Sequence, residues 1–201
     1  MAGNKIEPKQ IWLELASFTN NQLLLDHWQK IEKAYSSGNR HYHNLQHISF
    51  MLELAKRYGK WLQNSDAVTF AIFYHNLIYD ASRQNNEARS AEIAADRLQK
   101  MNVPETTIKA VEAAILATKT HEASTDPDIN FLLDFDLAAL GADWGTYQTY
   151  AANIRKEYSI YPNEVYKAGR KKVLQHFLAL PKIYKTPLFQ TLLEARAHHN
   201  I

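Results

Sequence analysis

Three polar side chains interrupt stretches of sequence that otherwise predict buried apolar surface. His75 and Asn76 lie in a predicted helix over 65–79 that is apolar on every side, and Asp136 lies on the apolar stripe of a predicted helix over 127–140. A buried imidazole, amide or carboxylate costs free energy unless it is hydrogen-bonded, paired or bound to a cation. These side chains therefore need polar or metal partners inside the protein.

A further pair of imidazoles lies upstream, in the segment RHYHNLQH over residues 40–47. His43 and His47 are four residues apart, so on one helical turn they could face the same point. Neutral imidazole together with carboxylate suits zinc, manganese, iron or nickel better than calcium. The chain has no cysteine, which excludes thiolate ligands and a disulfide framework. Three predicted helices then each bring a candidate ligand.

Each of these features also has a purely structural explanation when it is taken alone. Two histidines four residues apart are typical of a surface or capping pair. His75 and Asn76 could be a satisfied pair in the core, and Asp136 could form a salt bridge with Arg89 or Arg155. Their order, their spacing and their intrusion into apolar faces together favour one shared site.

The composition predicts an ordinary compact protein. The chain has 201 residues, of which 46% are hydrophobic and 22% charged, and its net charge is +2. These values exclude a disordered chain and give no global field that would attract nucleic acid or acidic membranes. No apolar run is long enough to span a bilayer, and residues 1–10 are polar without a signal-peptide core. We therefore expect a cytoplasmic protein without a membrane partner.

The periodicity predicts an all-α fold. Only six glycines and six prolines are present, and most lie between amphipathic stretches. We predict helices over 8–35, 44–62, 65–79, 86–101, 105–120, 127–140, 143–160, 163–180 and 187–198. We expect one domain over residues 1–201, with the motifs in 40–141 and the helices of 143–198 packed on them. In the helix at 163–180, the stripe Val165, Gly169, Val173 predicts a face that packs on the core.

The polar motifs resemble one known family. His47, then His75 followed by a short polar residue, then Asp136 resemble the H…HD…D signature of HD-domain metal-dependent phosphohydrolases. The similarity extends over five blocks in the order of one uncharacterised branch of predicted phosphohydrolases of similar length. The blocks are RHYHNLQH (40–47), FAIFYHNLIYD (70–80), NEARSA (86–91), ATKTH (117–121) and DFDLAALG (134–141). The resemblance implies an HD-type helical bundle.

The resemblance also implies a reaction and a ligand set. The implied ligands of one divalent ion (Mn, Mg, Zn, Fe or Ni) are His47, His75, Asn76 and Asp136. The implied substrate is a phosphate ester of a nucleotide-like compound or a small metabolite. The segment YHN-x-x-H over 42–47 is also similar to a motif of cyclic nucleotide phosphodiesterases, which implies that His43 donates a proton to the leaving oxygen. The predicted residues for substrate contact or for a shell behind the ligands are Arg40, Arg83, Glu87, Arg89, Lys119, His121 and Asp134.

The chain departs from the family at Asn76, where the family has aspartate. An amide oxygen can bind a divalent ion, but it is uncharged and binds more weakly than a carboxylate. A second hypothesis is therefore a degenerate HD domain that binds a nucleotide or a protein partner without catalysis.

The C-terminal part is basic, with nine Lys or Arg against three Asp or Glu over residues 155–201. We interpret its cluster, Lys167, Arg170, Lys171 and Lys172, as a solvated helix face rather than a nucleic-acid site. The tyrosines nearby are spaced for packing rather than for stacking on bases. The oligomeric state stays open, because the tyrosines and Trp144 could line an interface in a homo-oligomer.

Overall fold

The computed structural model describes residues 6–201, and all regular secondary structure in that range is helical. The predicted all-α class is confirmed. The α-helices are α1 Pro8–Leu15, α2 Asn21–Tyr35, α3 Leu45–Tyr58, α4 Ser65–Tyr74, α5 Asn86–Lys100, α6 Glu105–Ala117, α7 Pro127–Leu137, α8 Trp144–Glu157, α9 Asn163–Ala179, α10 Pro187–Phe189 and α11 Ala195–Asn200. Gly59–Trp61 and Ala138–Gly141 are 3₁₀ turns, and Gln190–Glu194 is a π-helical turn. None of these helices is long and apolar enough to cross a membrane.

Helix α4 runs through the middle of the bundle, as its uniformly apolar sequence predicts. It packs against α3, α5, α6 and α7, and its residues from Phe70 to Tyr74 are buried. Trp12 of α1 meets the rings of Phe70, Phe73 and Tyr74 edge-on, with ring centroids 5.3–6.0 Å apart. A helix covered on all sides can carry polar groups only where they find partners. His75, which directly follows this helix and is buried, must therefore find its partners inside the bundle.

The predicted helix over 8–35 is in fact two helices. Helix α1 ends at Leu15, and Asn20 begins α2 by accepting hydrogen bonds from the backbone N–H groups of Gln22 and Leu23. Asparagine is a favoured N-cap because its side-chain oxygen satisfies donors that a helix start leaves free. The hydrophobic pattern continues across this break, which is why periodicity alone does not reveal it.

The predicted helix over 65–79 ends early, at Tyr74. His75 and Asn76 therefore lie in the turn that follows α4 and not inside a helix. Arg40, which is only 9% exposed, donates to the carbonyl oxygens of Asn76 at 2.6 Å and Leu77 at 2.9 Å. These contacts replace hydrogen bonds that a continuing helix would have made to the same carbonyl oxygens. Arg40 therefore stabilises the turn that contains His75 and Asn76.

Helix α9 differs from its predicted packing. Val165 is 55% exposed and Val173 is 44% exposed, and Phe177 is the buried residue of this helix. The apolar stripe faces a cavity rather than other side chains. Helix α8 does pack inward through Tyr147 and Ile154, so α9 is the element of the C-terminal part that leaves space above the core.

Gly141 permits close contact between the turn after α7 and the C-terminal helices. A Cβ atom at this position would lie 2.6 Å from Leu193 Cβ and 2.8 Å from the carbonyl oxygen of Leu193. We expect Gly141→Ala to lower the free energy of unfolding by about 1–3 kcal/mol, because the packed backbone must move. Urea unfolding measures the change. Gly59→Ala is the control, since nothing lies within 4 Å of its added Cβ; an equal loss there would contradict the steric explanation.

Candidate functional site

Three of the predicted ligands meet at one point in the structure. His47 lies on α3, His75 follows α4 and Asp136 lies on α7. The Nε2 atoms of His47 and His75 are 3.3 Å apart, and Asp136 Oδ1 lies 3.1 Å from the first and 3.6 Å from the second. One donor atom from each residue lies within 4.8 Å of the others. Side chains around a tetrahedral ion at 2.0–2.2 Å have donor atoms about 3.3–3.6 Å apart, so this group could hold a metal ion.

The hydrogen bonds of the two imidazoles fit a cation between them. His75 Nδ1 lies 2.9 Å from the carbonyl oxygen of Ile72, to which it donates, so the Nε2 atom of the neutral ring carries a lone pair. Burial lowers the pKa of His47 to about 4, despite its contact with Asp136, so this ring is neutral at pH 7. Two imidazoles in contact beside a carboxylate form a donor set suited to a divalent transition metal.

His47 lacks the second partner that orients many metal-binding histidines. Its Nδ1 atom is buried and has no hydrogen-bond partner within the described residues. The ring instead packs against Tyr42, with centroids 4.8 Å apart. Packing therefore holds the orientation of His47.

Asp136 joins this group to His121. His121 Nε2 donates to Asp136 Oδ2 at 2.9 Å, while Oδ1 faces the other two histidines. Burial by itself would raise the pKa of Asp136, but the three imidazoles around its carboxylate, that of His121 above all, lower it well below its usual range. The backbone of His121 has a φ of 53°, a left-handed conformation that costs a non-glycine residue about 1 kcal/mol. Such strain at a residue bonded to Asp136 supports a functional role for His121.

His43 lies in the turn before α3 and not on the helix with His47. Its Nδ1 atom is 2.6 Å from Glu157 Oε2, which also accepts a hydrogen bond from the hydroxyl of Tyr79 at 2.9 Å. Glu157 Oε1 accepts the backbone N–H groups of residues 41, 42 and 43 at 2.7–2.9 Å. Glu157 thus fixes both the backbone and the ring of His43. With Nδ1 bonded to the carboxylate, the opposite nitrogen, Nε2, is left to act on a ligand.

Glu157 was not among the residues predicted from the sequence. Its carboxylate is fully buried, and although burial opposes ionisation, the bonds from His43 and the backbone lower its pKa to about 2. The residue lies three positions after Ile154 and seven after Tyr150, on the inner face of α8. A carboxylate on an apolar stripe was the observation that pointed to Asp136, and it applies to Glu157 equally.

A cavity of about 460 Å³ lies between this group and the α8–α9 pair. Asp136, His121 and His43 line it on the core side. The α8–α9 side is mainly aromatic and aliphatic. It comprises Tyr150, Ile154, Tyr158, Tyr161, Val165, Tyr166, Val173 and Phe177. The volume is that of a pocket for a small organic ligand.

No protein-family model matches this chain, and no curated protein or solved structure is significantly similar to it. The HD-type bundle therefore stays a prediction from the motifs. The functional argument depends on the arrangement of the chain's own residues.

The other predicted residues fall into two groups. Asn76, Glu87, Lys119 and His121 line the cavity. Arg40, Arg83, Arg89 and Asp134 do not. Arg83 pairs with Asp80 at 3.1 Å on the surface, and Arg89 is exposed.

Asp134 belongs to a different part of the core. Its carboxylate accepts hydrogen bonds from the backbone N–H groups of Lys185 and Thr186 and from the Thr186 hydroxyl at 2.6–2.8 Å. Burial raises the pKa of Asp134 to about 6, against the effect of these bonds. Asp134 therefore anchors the loop before α10, two positions from Asp136 but directed elsewhere.

Proposed function

We propose that this protein is a metal-dependent phosphohydrolase of the HD type that acts on a phosphate ester of a nucleotide-like compound or a small metabolite. The observation that carries the proposal is the meeting of His47, His75 and Asp136 beside a cavity that Asp136 and His43 both line. Ligands for a divalent ion and a positioned acid–base group beside the same cavity are the parts that metal-assisted hydrolysis requires.

In this proposal His47, His75 and Asp136 hold one divalent ion, and the side-chain oxygen of Asn76 is the fourth protein ligand. The ion, when bound, supplies Lewis-acid activation of a water molecule and of a phosphoryl oxygen. Asp136 provides the charge that balances it, and His121 keeps that carboxylate ionised and oriented.

His43 moves the proton. Protonated at both nitrogens, its ring gives the Nε2 proton to the leaving oxygen of the ester, while Nδ1 stays bonded to Glu157. The buried carboxylate stabilises the imidazolium before the transfer, and Tyr79 holds the same carboxylate oxygen in place. Lys119, exposed at the cavity edge, would balance negative charge on the phosphoryl group.

The second candidate is a binding protein with the same cavity and no turnover. Asn76 favours this second candidate, because an amide contributes no charge and binds a divalent ion more weakly than the aspartate of the family pattern would. The two candidates share the fold and the ligand, so a binding measurement must be accompanied by a measurement of turnover.

The first test is thermal unfolding of the chelator-treated protein with and without Mn²⁺. A ligand at 100 times its Kd stabilises the native state by about 2.7 kcal/mol, which for a chain of this size raises Tm by roughly 5–10 °C. We expect that shift in the wild type and its loss in Asp136→Asn. Phosphate release from a panel of nucleoside monophosphates and sugar phosphates then separates catalysis from binding. No Tm shift with Mn²⁺, Zn²⁺, Fe²⁺ or Ni²⁺ would overturn the metal site, and a shift without phosphate release would leave only the binding protein.

A further inference from the structure

Arg170 on α9 is a half-buried cation that lines the cavity and lacks a negative partner. One of its Nη atoms donates to the hydroxyl of Tyr150 at 2.9 Å, and its guanidinium lies 5.3 Å from the centroid of the same ring. No carboxylate of residues 6–201 lies within ion-pair distance of it. A guanidinium has five N–H donors, so a single phenol oxygen leaves most of them to solvent or to a ligand.

Two other arginines with low exposure have their guanidinium donors satisfied by the chain itself and serve for comparison with Arg170. Arg40 donates to the carbonyl oxygens of His43, Asn76 and Leu77. Arg155 donates to two carbonyl oxygens and to the side chain of Asn163. Both are surrounded by acceptors that belong to the chain, whereas Arg170 has one hydroxyl and aromatic rings. Arg97 also has a guanidinium nitrogen without an acceptor, but it lies over the ring of Tyr74 and does not line the cavity, whereas Arg170 is placed where a ligand could supply the missing acceptor.

The position of Arg170 in the cavity decides which part of a ligand it can reach. From Arg170 a line of aromatic contacts leads to the metal-ligand group: Tyr150 lies 4.7 Å from Tyr42, and Tyr42 lies 4.8 Å from His47, between ring centroids. Two rings thus separate the guanidinium from His47. Arg170 and Asp136 are therefore separate points on the lining of the cavity, an arrangement that suits an organic phosphate with an acidic group at its other end.

The residues that line the cavity around Arg170 indicate the chemistry of the middle part of such a ligand. Tyr158 and Tyr166 lie with ring centroids 6.0 Å apart, and the exposed sides of Val165 and Val173 face the same space. These are apolar surfaces that suit a flat or hydrophobic spacer.

We propose that Arg170 binds a second acidic group of the substrate, so that the substrate class is an organic phosphate with an anionic oxygen group across an apolar or aromatic spacer. The assignment of the scissile end rests on the function proposed above. The assignment of the far end rests on Arg170 alone. A carboxylate or a second phosphate satisfies the guanidinium by the same two-oxygen contact.

Matched substrates test this specificity. We compare phenyl phosphate with 4-carboxyphenyl phosphate, and the corresponding biphenyl pair for a longer spacer, by kcat/KM for phosphate release. A charge-assisted bond of about 1.5–3 kcal/mol corresponds to a preference of roughly 10- to 100-fold for the acidic member of at least one pair. Arg170→Met should remove this preference by lowering kcat/KM for the acidic member far more than for the neutral member. Lys171→Met is the matched control, because Lys171 is an exposed cation on the same helix that does not line the cavity. Equal rates for both members of both pairs in the wild type would overturn the proposal.

Binding of ligands that cannot be hydrolysed separates this proposal from the proposed reaction. We measure calorimetrically how benzylphosphonate and 4-carboxybenzylphosphonate bind in Mn²⁺, and how benzoate and benzene-1,4-dicarboxylate bind in chelator. Tighter binding of the extra-carboxylate ligand, lost in both Arg170→Met and Arg170→Gln, supports the acidic-group site even if no substrate is hydrolysed. Hydrolysis without any discrimination would leave the reaction in place and refute the role of Arg170. If replacing the 4-carboxylate of 4-carboxybenzylphosphonate by a second phosphonate gives tighter binding, the second acidic group of the substrate is a phosphate.

Discussion

We expect His43→Gln to lower kcat by about 10²- to 10⁴-fold and to leave Mn²⁺ affinity unchanged, because the proposed reaction uses His43 as a positioned proton donor and such a donor contributes on that scale. Glutamine keeps a polar side chain of similar length but cannot deliver a proton at neutral pH. Steady-state phosphate release gives kcat, and the Tm shift with Mn²⁺ gives metal binding. The two measurements together distinguish a proton donor from a ligand.

The neighbouring His41 offers a matched control for that experiment. Its side chain is exposed and lies outside the 460 Å³ cavity, while its backbone N–H bonds to Glu157 as that of His43 does. We expect His41→Gln to keep the wild-type kcat. A parallel loss of activity and of metal affinity in His43→Gln would instead make His43 a metal ligand and would require another acid.

We expect Asn76→Asp to raise Mn²⁺ affinity by about tenfold or more and to increase phosphate release, because under the proposal it adds a charged oxygen ligand of nearly the same size. The opposite result is expected if no ion binds there. A carboxylate in the turn after α4 would then be an unpaired charge on the lining of the same cavity as Asp136 and would destabilise the fold.

Thermal unfolding in chelator and in Mn²⁺ separates these outcomes. The proposal predicts that Asn76→Asp is less stable than the wild type in chelator and gains the larger Tm shift on adding Mn²⁺. Asn76→Leu, which removes the oxygen without adding charge, should lose part of the Mn²⁺ shift. An Asn76→Asp protein that is destabilised under both conditions and holds no metal by elemental analysis would end the argument for a metal site and leave only the fold.

The amino-acid sequence by itself determines the helical class and most helix positions. Asp126, placed before Pro127, begins α7 by accepting a hydrogen bond from the N–H of Asp128, and aspartate followed by proline is a helix start that can be identified from sequence alone. The uniformly apolar run from Phe70 to Tyr74 predicts the central helix. These features are local: caps and periodicity depend on residues within one or two turns of each other.

Part of the candidate site is also readable from the sequence. His75 and Asp136 stand out because each lies within an otherwise apolar stretch, and His47 stands out because it follows His43 by four residues; such signals are visible without knowing the partner. The pattern does not say where a helix yields to a turn. Only the tertiary structure shows that α4 ends at Tyr74. The carbonyl oxygen of Asn76 is bound by the guanidinium of Arg40, which lies in a loop 36 residues earlier in the chain.

The partners of the remaining groups are decided by tertiary structure alone. His43 and Glu157 are 114 residues apart, and Arg170 faces the cavity although its basic neighbours predict a solvated surface. Helical periodicity states which face of a helix is apolar, but it carries no information on which distant face will meet it or whether a gap will remain between them. The space between α9 and the core, and with it the contrast between Lys171 in solvent and Arg170 in the cavity, arises only when all the helices are packed together.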